Sequence, residues 1–216
     1  MAIATLTLNP AIDKSAVVAQ VVPERKLRCR AVNFEPGGGG INVARVLTRL
    51  GAEVKAYYPA GGPPAQLLAT LLEQEKVRFH SMQIEGWTRQ SLAVYESASS
   101  QQFRFNMPGP RLREKEWRDV LDTLGRLDPP VEFLVASGSL PPGVPSDFYA
   151  RLARRCAKNG TRLVLDTSGE ALRLALKEEG LFLIKPNLQE LRDLVDEELE
   201  EEENQERAVE SLIDAE

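Results

Sequence analysis

The feature that most constrains the fold is a β-loop-α pattern repeated through the second half of the chain. Three short, continuous apolar runs occur there, each followed by a polar loop and a helical pattern: FLVASGS (133–139), LVLDTS (163–168) and LFLIKPN (181–187). Repeated units of this length predict parallel strands covered by helices. The loops after such strands meet at one sheet edge, where ligands bind in open α/β folds. We therefore expect the loops SGS, DTS and KPN to face a common cleft.

Two stretches of the middle region follow a different pattern, because their apolar and polar residues alternate. They are SLAVYE (91–96) and QFRFNM (102–107), joined by the polar turn ASSQ. Such alternation is typical of antiparallel strands with one exposed face. Segment 15–22 (SAVVAQVV) is a candidate for a further strand of this type. Together these strands predict a small sheet that projects from the main body.

The composition limits the classes of function. The chain has 216 residues and a net charge of −5, which argues against nucleic acid as its main partner. No run approaches the roughly 20 apolar residues that a membrane span needs, and MAIATLTLNP lacks the basic and long apolar parts of a secretion signal. We expect a cytoplasmic protein whose two cysteines, Cys29 and Cys156, are free thiols. The single histidine, His80, excludes any mechanism that needs two.

The stretch EPGGGGINVAR (35–45) places four consecutive glycines directly before a helical pattern. Its apolar residues recur at helical spacing from Val43, and Gly51 follows the last of them. A bare backbone at a helix N-terminus offers free N–H groups to a polar ligand, but a tight structural turn also requires glycines. The pattern alone leaves both interpretations open. A nucleotide P-loop is excluded, because the Lys-Ser/Thr pair that it requires is absent.

Other polar residues near these motifs also have two interpretations. Asp13 stands where a turn residue after Pro10 would stand, and Ser139 fits a plain strand-to-helix turn. Arginines on half-exposed strands, such as Arg89 and Arg104, commonly face solvent. Each of the four side chains also suits a polar, phosphorylated ligand, because carboxylate and hydroxyl groups bind sugar hydroxyls and guanidinium binds phosphate.

Eight motifs, occurring together and in order, resemble the ribokinase/PfkB family of carbohydrate kinases. They are NPAID (9–13), KLRC (26–29), PGGGGINVAR (36–45), WTRQ (87–90), FRFNMPG (103–109), SGSLPPG (137–143), DTSGEAL (166–172) and KPNLQEL (185–191). The resemblance implies a ribokinase-like α/β/α fold with a mostly parallel sheet and a small β-sheet lid over the sugar. It further implies one kinase domain over residues 1–216, with lid strands from about 13–32 and 88–108.

The resemblance also assigns roles to residues on the sugar side. It implies that the sugar hydroxyls are held by Asp13, Gly38, Gly39 and Asn42. Arg89 would bind the sugar phosphate, and Arg104 and Ser139 would also contact the substrate. Basic residues that match Lys26 and Arg28 come from the lid of a partner subunit, so we expect a homodimer through the lid sheet.

On the nucleotide side, the resemblance implies that Lys185 and Asn187 bind ATP. Asn187 and Glu190 lie three residues apart at a predicted helix start, so they share a face. They could hold Mg²⁺ through its waters, and Asp166 would support these residues without holding the ion itself. They could equally form a helix-capping box, and the two interpretations are compatible.

The activity implied is ATP-dependent phosphorylation of fructose 6-phosphate at O1. Family members that use fructose 1-phosphate or tagatose 6-phosphate typically carry GGKG where this chain has GGGG. The family's catalytic base is the aspartate of a GAGD motif, which is absent from residues 1–216. We therefore expect a domain that is incomplete beyond Glu216, with no catalytic residue in this chain and no turnover by it alone. Alternatives are a kinase for fructose 1-phosphate or tagatose 6-phosphate, and a non-catalytic module that binds a sugar phosphate.

Overall fold

The computed structural model of the protein describes residues 2–195, 199 and 201–214. Its strands are β1 (Ile3–Leu6), β2 (Ala11–Val18), β3 (Arg30–Gly37), β4 (Val54–Ala60), β5 (Arg78–Gln83), β6 (Arg89–Glu96), β7 (Gln101–Phe105), β8 (Phe133–Ser137), β9 (Arg162–Asp166) and β10 (Leu181–Ile184). Its helices are α1 (Gly39–Arg49), α2 (Gly62–Gln74), α3 (Glu114–Leu124), α4 (Phe148–Asn159), α5 (Gly169–Ala175), α6 (Leu188–Val195) and α7 (Glu202–Asp214).

The main sheet has six strands, all parallel, in the order β10-β9-β8-β1-β4-β5. The central strand β1 pairs on one side with β4, where Ile3 is opposite Val54, and on the other with β8, where Ile3 is opposite Phe133. The three β-loop-α units predicted from the sequence therefore supply neighbouring strands. Their following loops border one edge of the sheet, as predicted.

Two hydrophobic cores lie on opposite faces of this sheet. Alternate residues of β1 face opposite ways, so that Leu6 belongs to the core under α3, α4 and α5, and Ile3 to the core under α1 and α2. The largest fully buried side chains of the first core include Phe148 and Tyr149 on α4. Burying a side chain of this size stabilises the fold by about 1.5–3 kcal/mol. Helices thus cover both faces, which confirms the predicted three-layer α/β/α arrangement.

The second sheet, which we call the lid, has the strand order β3-β2-β6-β7. The β2–β3 and β6–β7 pairs are antiparallel, and the central β2–β6 pair is parallel. The strand expected at 15–22 is wrong in its bounds, because β2 begins at Ala11, directly after the Asn9-Pro10 turn, and ends at Val18. Strand β3 was not predicted from the pattern. Its residues are exposed from Arg30 to Glu35 and show no apolar alternation.

Helix boundaries follow the glycine signals. The N-cap of α1 is Gly38, whose φ of 120° is rarely adopted by residues with a side chain. Gly51 follows the C-cap of α1 with φ of 78°, and Gly160 ends α4 with φ of 68°. The glycine run is therefore an ordered junction, in which Gly37 ends β3 and Gly39 begins α1.

The composition of the acidic stretch DEELEEEENQE (196–206) favours a solvated helix face or loop. Residues 196–198 and 200 lie outside the described part of the chain, and Glu202 opens α7.

Both cysteines are free, as predicted; burial raises the pKa of the Cys156 thiol to about 12, whereas Cys29 is exposed. Among the described helices, none combines the length and the apolar character needed to cross a membrane.

Candidate functional site

The glycine run packs directly on the carboxyl ends of β1 and β8. A Cβ atom added to Gly39 would lie 2.0 Å from Ser137 Oγ, and one added to Gly40 would lie 2.2 Å from the backbone oxygen of Leu6. Only glycine permits so close an approach. The structural interpretation of the run is therefore confirmed, and contact with a ligand remains a prediction.

The N-terminus of α1 is capped by a residue that is distant in sequence. No side-chain cap comes from Gly38, but Thr7 Oγ1 on the loop after β1 accepts a hydrogen bond from the Ile41 amide at 2.8 Å. In the described chain, the amides of Gly39 and Gly40 show no such partner. A helix start with free N–H groups carries a partial positive charge and suits electronegative ligand atoms.

Asp13 faces the junction from β2, where its carboxyl group borders the glycine run. A Cβ added to Gly37 would lie 2.4 Å from Asp13 Oδ2. Burial raises the pKa of Asp13; the positive charge of Arg89 opposes this shift, and Glu35 opposite it on β3 adds to it. A cleft of about 230 Å³ lies beside the carboxyl group, and its polar lining is Asp13, Lys14, Ser91, Gln102, Arg104 and Asn106.

Arg89, the first residue of β6, has a positive charge with no carboxylate partner in the described chain. Its Nη1 donates to the Met107 backbone oxygen and its Nη2 to the Asn9 backbone oxygen, both at 3.2 Å. Its Nε atom is buried without a hydrogen-bond partner. Among the residues described, Arg104 on β7 also forms no ion pair, and its Nε donates to the Gln102 side-chain oxygen at 3.0 Å. Two guanidinium groups in the lid therefore remain available to an anion.

Asn9 joins two of the predicted site residues. Its backbone oxygen accepts the bond from Arg89, and its Nδ2 donates to Ser139 Oγ at 3.2 Å. The loop after β8 is thereby tied to the first residue of β6. Lys26 and Arg28 do not join this group, because both lie exposed on the loop between β2 and β3 and form no hydrogen bond or ion pair with it in the described chain.

The predicted nucleotide residues lie at the carboxyl ends of β9 and β10. Asp166 Oδ2 accepts a hydrogen bond from Ser137 Oγ at 2.8 Å, and its Oδ1 lies 3.4 Å from Lys185 Nζ. Ser137 is also the residue under Gly39, so a continuous line of contacts joins the two sides of the cleft.

Asn187 and Glu190 cap the start of α6. The backbone N–H of Asn187 donates to Glu190 Oε2 at 2.8 Å, and the backbone N–H of Glu190 donates to Asn187 Oδ1 at 2.9 Å. This reciprocal pair is a capping box, so the structural interpretation is confirmed. No group of three or more His, Cys, Asp or Glu residues that could hold a metal occurs among the residues described. The cap uses one carboxylate oxygen of Glu190; the other fits Mg²⁺, which commonly takes one or two carboxylates together with substrate phosphates and water.

The sequence did not single out several residues that the structure places in the site. They are Thr7, Asn9, Ser91, Ser137 and Arg45. The structure buries Thr7 and Ser137 at strand ends. In the sequence, Ser137 is the first polar residue after the apolar run FLVA (133–136), which is a signal that could have found it. Arg45 lies in the helix behind the glycines, and nothing in its local sequence indicates its contacts.

Comparison with known proteins gives a consistent result. The model of the family described as pfkB family carbohydrate kinase matches residues 6–215. The chain is 42% identical over 211 residues to ATP-dependent 6-phosphofructokinase isozyme 2 of Escherichia coli, covering 98% of this chain and 68% of that protein. It is 45% identical over 212 residues to the isozyme 2 of Mycobacterium tuberculosis, covering 98% of this chain and 62% of that protein.

A solved structure shares the fold. It is the crystal structure of phosphofructokinase-2 from Escherichia coli in complex with fructose 6-phosphate, with a TM-score of 0.92 at 42% identity. The match covers 99% of this chain and 70% of that chain. The predicted ribokinase-like fold is therefore confirmed. The chain spans about two thirds of the length of these relatives.

Proposed function

The chain belongs to the pfkB family of carbohydrate kinases, and we propose that it binds fructose 6-phosphate for ATP-dependent phosphorylation at O1. Two relatives more than 40% identical to it are named ATP-dependent 6-phosphofructokinase. Their names support the substrate, and the substitution of GGGG for GGKG at 37–40 favours it over fructose 1-phosphate and tagatose 6-phosphate.

The observation that carries this proposal is the charge arrangement of the lid. Arg89 pairs with Ala11 on β2, and two residues further along the same pair of strands Asp13 stands opposite Ser91. A cation without a carboxylate partner thus lies near a partly buried carboxylate. A sugar phosphate needs both, because its phosphate binds a guanidinium fork and its hydroxyls donate to a carboxylate.

The remaining sugar contacts come from the floor of the cleft. In the proposed complex, the amides at Gly38 and Gly39 and the side chain of Asn42 hold hydroxyls. Arg104 adds positive charge from β7, and Ser139 contributes its hydroxyl from the loop after β8. Each of these groups is a hydrogen-bond donor, which complements the acceptor-only carboxylate of Asp13.

For the nucleotide, we propose that Lys185 and Asn187 bind ATP and that Asn187 and Glu190 hold Mg²⁺ through water, with Asp166 behind them. Bound Mg²⁺ neutralises charge on the transferring phosphates. The free carboxylate oxygen of Glu190 supports this role. No residue of the described chain is proposed as the base, because residues 1–216 contain no GAGD motif. We expect the 216-residue chain to bind sugar phosphate without appreciable turnover.

The proposed partner is a second copy of the chain, joined through the lid. Lys26 and Arg28 are exposed on a lid loop, where they can reach a neighbouring copy's site. Exposed apolar side chains on the lid also support a protein contact there: Val32 (50% exposed), Phe34 (37%) and Phe105 (46%). We place this dimer in the cytoplasm, where ATP-dependent sugar kinases find their substrates.

Calorimetric titration tests the proposal. The 216-residue chain should bind fructose 6-phosphate more tightly than fructose 1-phosphate or tagatose 6-phosphate, and fructose itself only weakly. Tighter binding of fructose 1-phosphate or tagatose 6-phosphate would favour the other kinase assignment. Equal binding of fructose and its 6-phosphate would remove the role of Arg89, and binding without turnover by any longer form of the protein would favour a non-catalytic module.

A further inference from the structure

Arg45 on α1 contacts the residue before the glycine run and a residue in the first turn of the helix that follows it. Its Nη1 donates to the Pro36 backbone oxygen at 3.1 Å and to Asn42 Oδ1 at 3.1 Å. Pro36 immediately precedes the glycines, and Asn42 is the proposed sugar contact that follows them. One guanidinium group therefore holds both ends of the junction.

The guanidinium is itself held in one orientation. Its Nε lies 2.9 Å from both carboxylate oxygens of Glu75, and its Nη2 lies 2.7 Å from Glu75 Oε1. Glu75 is the C-cap residue of α2, so the anchor belongs to a different helix. The side chain of Arg45 is only 14% exposed. Hydrogen bonds from Arg45 lower the pKa of Glu75 and so favour its ionised form. A planar fork bound in this way has little freedom to turn.

This contact decides which end of the Asn42 side-chain amide stays free. A guanidinium group has only donors, so the atom facing it must be the acceptor Oδ1. Within the described chain, Nδ2 of Asn42 donates to no other group. Without a fixed partner, an exposed amide can present either its oxygen or its nitrogen to a ligand.

We propose that Arg45 is a positioning residue of the sugar site, which fixes the amide of Asn42 so that Nδ2 donates to a sugar oxygen. This inference rests on the proposed function, because it assumes that fructose 6-phosphate occupies the site.

Two matched variants separate positioning from general stability. Arg45→Lys keeps the positive charge but loses the fork that reaches Asn42, Pro36 and Glu75 together. Arg49→Lys is the control, because Arg49 binds Glu75 Oε2 at 2.7 Å but, within the described residues, forms no hydrogen bond with Asn42 or Pro36. We expect Arg45→Lys to weaken fructose 6-phosphate binding about tenfold, the effect of losing one oriented hydrogen bond. Arg49→Lys should bind as the wild type does.

Asn42→Ala and the double variant Asn42→Ala/Arg45→Lys complete a double-mutant cycle measured by calorimetry. If Arg45 acts through Asn42, Arg45→Lys should cause little further loss of affinity once Asn42 is absent. A merely structural role would give the same loss in both backgrounds and would overturn the inference, as would unchanged affinity in Arg45→Lys.

A second measurement does not depend on the ligand. In the ¹⁵N-asparagine-labelled chain, Arg45→Lys should shift the side-chain amide signals of Asn42, and Arg49→Lys should leave them in place. Unshifted signals in Arg45→Lys would overturn the proposed contact. If the wild-type chain binds no fructose 6-phosphate while Arg45→Lys shifts the signals, the proposed function is wrong and the positioning role falls with it, although the contact itself is real.

Discussion

The two sides of the cleft differ in what satisfies their polar groups. On the sugar side, the hydrogen-bond partners of Arg89 among the described residues are neutral carbonyl oxygens, and burial raises the pKa of Asp13. On the nucleotide side, Lys185 pairs with Asp166, and Asn187 and Glu190 cap their own helix. Uncompensated groups cost folding free energy and are characteristic of binding sites, whereas groups that satisfy one another stabilise the chain. Among these residues, the sugar side therefore carries charged groups that a ligand can pair with. The polar groups of the nucleotide side already pair with one another.

The largest expected effect comes from breaking the floor of the sugar side. Gly40→Ala would place a Cβ against the backbone of Leu6, which cannot move aside as a side chain can. We expect the free energy of unfolding to fall by about 3 kcal/mol, the upper part of the range for overpacked sites. Urea denaturation measures this loss. Gly51→Ala is the control: unlike Gly40, Gly51 has a φ of 78°, which is unsuited to alanine, but its Cβ meets no atom within 4 Å, so the substitution should cost only about 1 kcal/mol. Equal losses would show that the close packing at Gly40 has no special role.

Removing the uncompensated cation should affect binding more than stability. Arg89→Ala should weaken binding of fructose 6-phosphate by about 1.5–3 kcal/mol, the range for a charge-assisted hydrogen bond. Its affinity for unphosphorylated fructose should change little. Arg78→Ala, which removes an exposed arginine paired with Glu53 at the amino ends of β4 and β5, is the matched control for calorimetry. Unchanged affinity in Arg89→Ala would remove this residue from the site.

Asp13→Asn should separate function from stability in a smaller, pH-dependent way. Because burial raises the pKa of Asp13, its ionised form destabilises the fold above that pKa, and this cost disappears as pH falls through it. The variant should therefore melt at a higher temperature than the wild type at pH 7. The difference should vanish below the ordinary carboxyl pKa of 3.8, while affinity for the sugar phosphate falls. If the variant is less stable than the wild type at pH 7, the ionised carboxylate of Asp13 does not destabilise the fold as proposed.

The smallest effect is expected on the nucleotide side. Asn187→Ala removes one half of the capping box and should destabilise α6 by about 1 kcal/mol. Fructose 6-phosphate binding should not change. Asn187→Ser is the matched control, since Ser followed by Glu at the third helical position also forms a capping box. A loss of sugar affinity in Asn187→Ala, detected by calorimetry, would show that the two sides are not independent.

Sequence reasoning succeeded where the determining contacts are local. The apolar runs predicted the parallel strands β8, β9 and β10, and the three-residue spacing of Asn187 and Glu190 predicted their capping box. It failed at β3, whose exposed residues carry no pattern, and placed β2 four residues too late. The anchor of Arg45 could not be predicted either, because Glu75 lies 30 residues away and on another helix. Such contacts depend on how elements pack, which spacing along the chain does not encode.

The central claim is that the sugar phosphate binds between the lid and the glycine run. Hydrogen–deuterium exchange of the 216-residue chain, with and without saturating fructose 6-phosphate, tests it most directly. We predict slower exchange in peptides covering 9–18, 36–45 and 87–107, and unchanged exchange in 184–195. Protection confined to 184–195, or no protection in the lid and glycine peptides, would contradict the account.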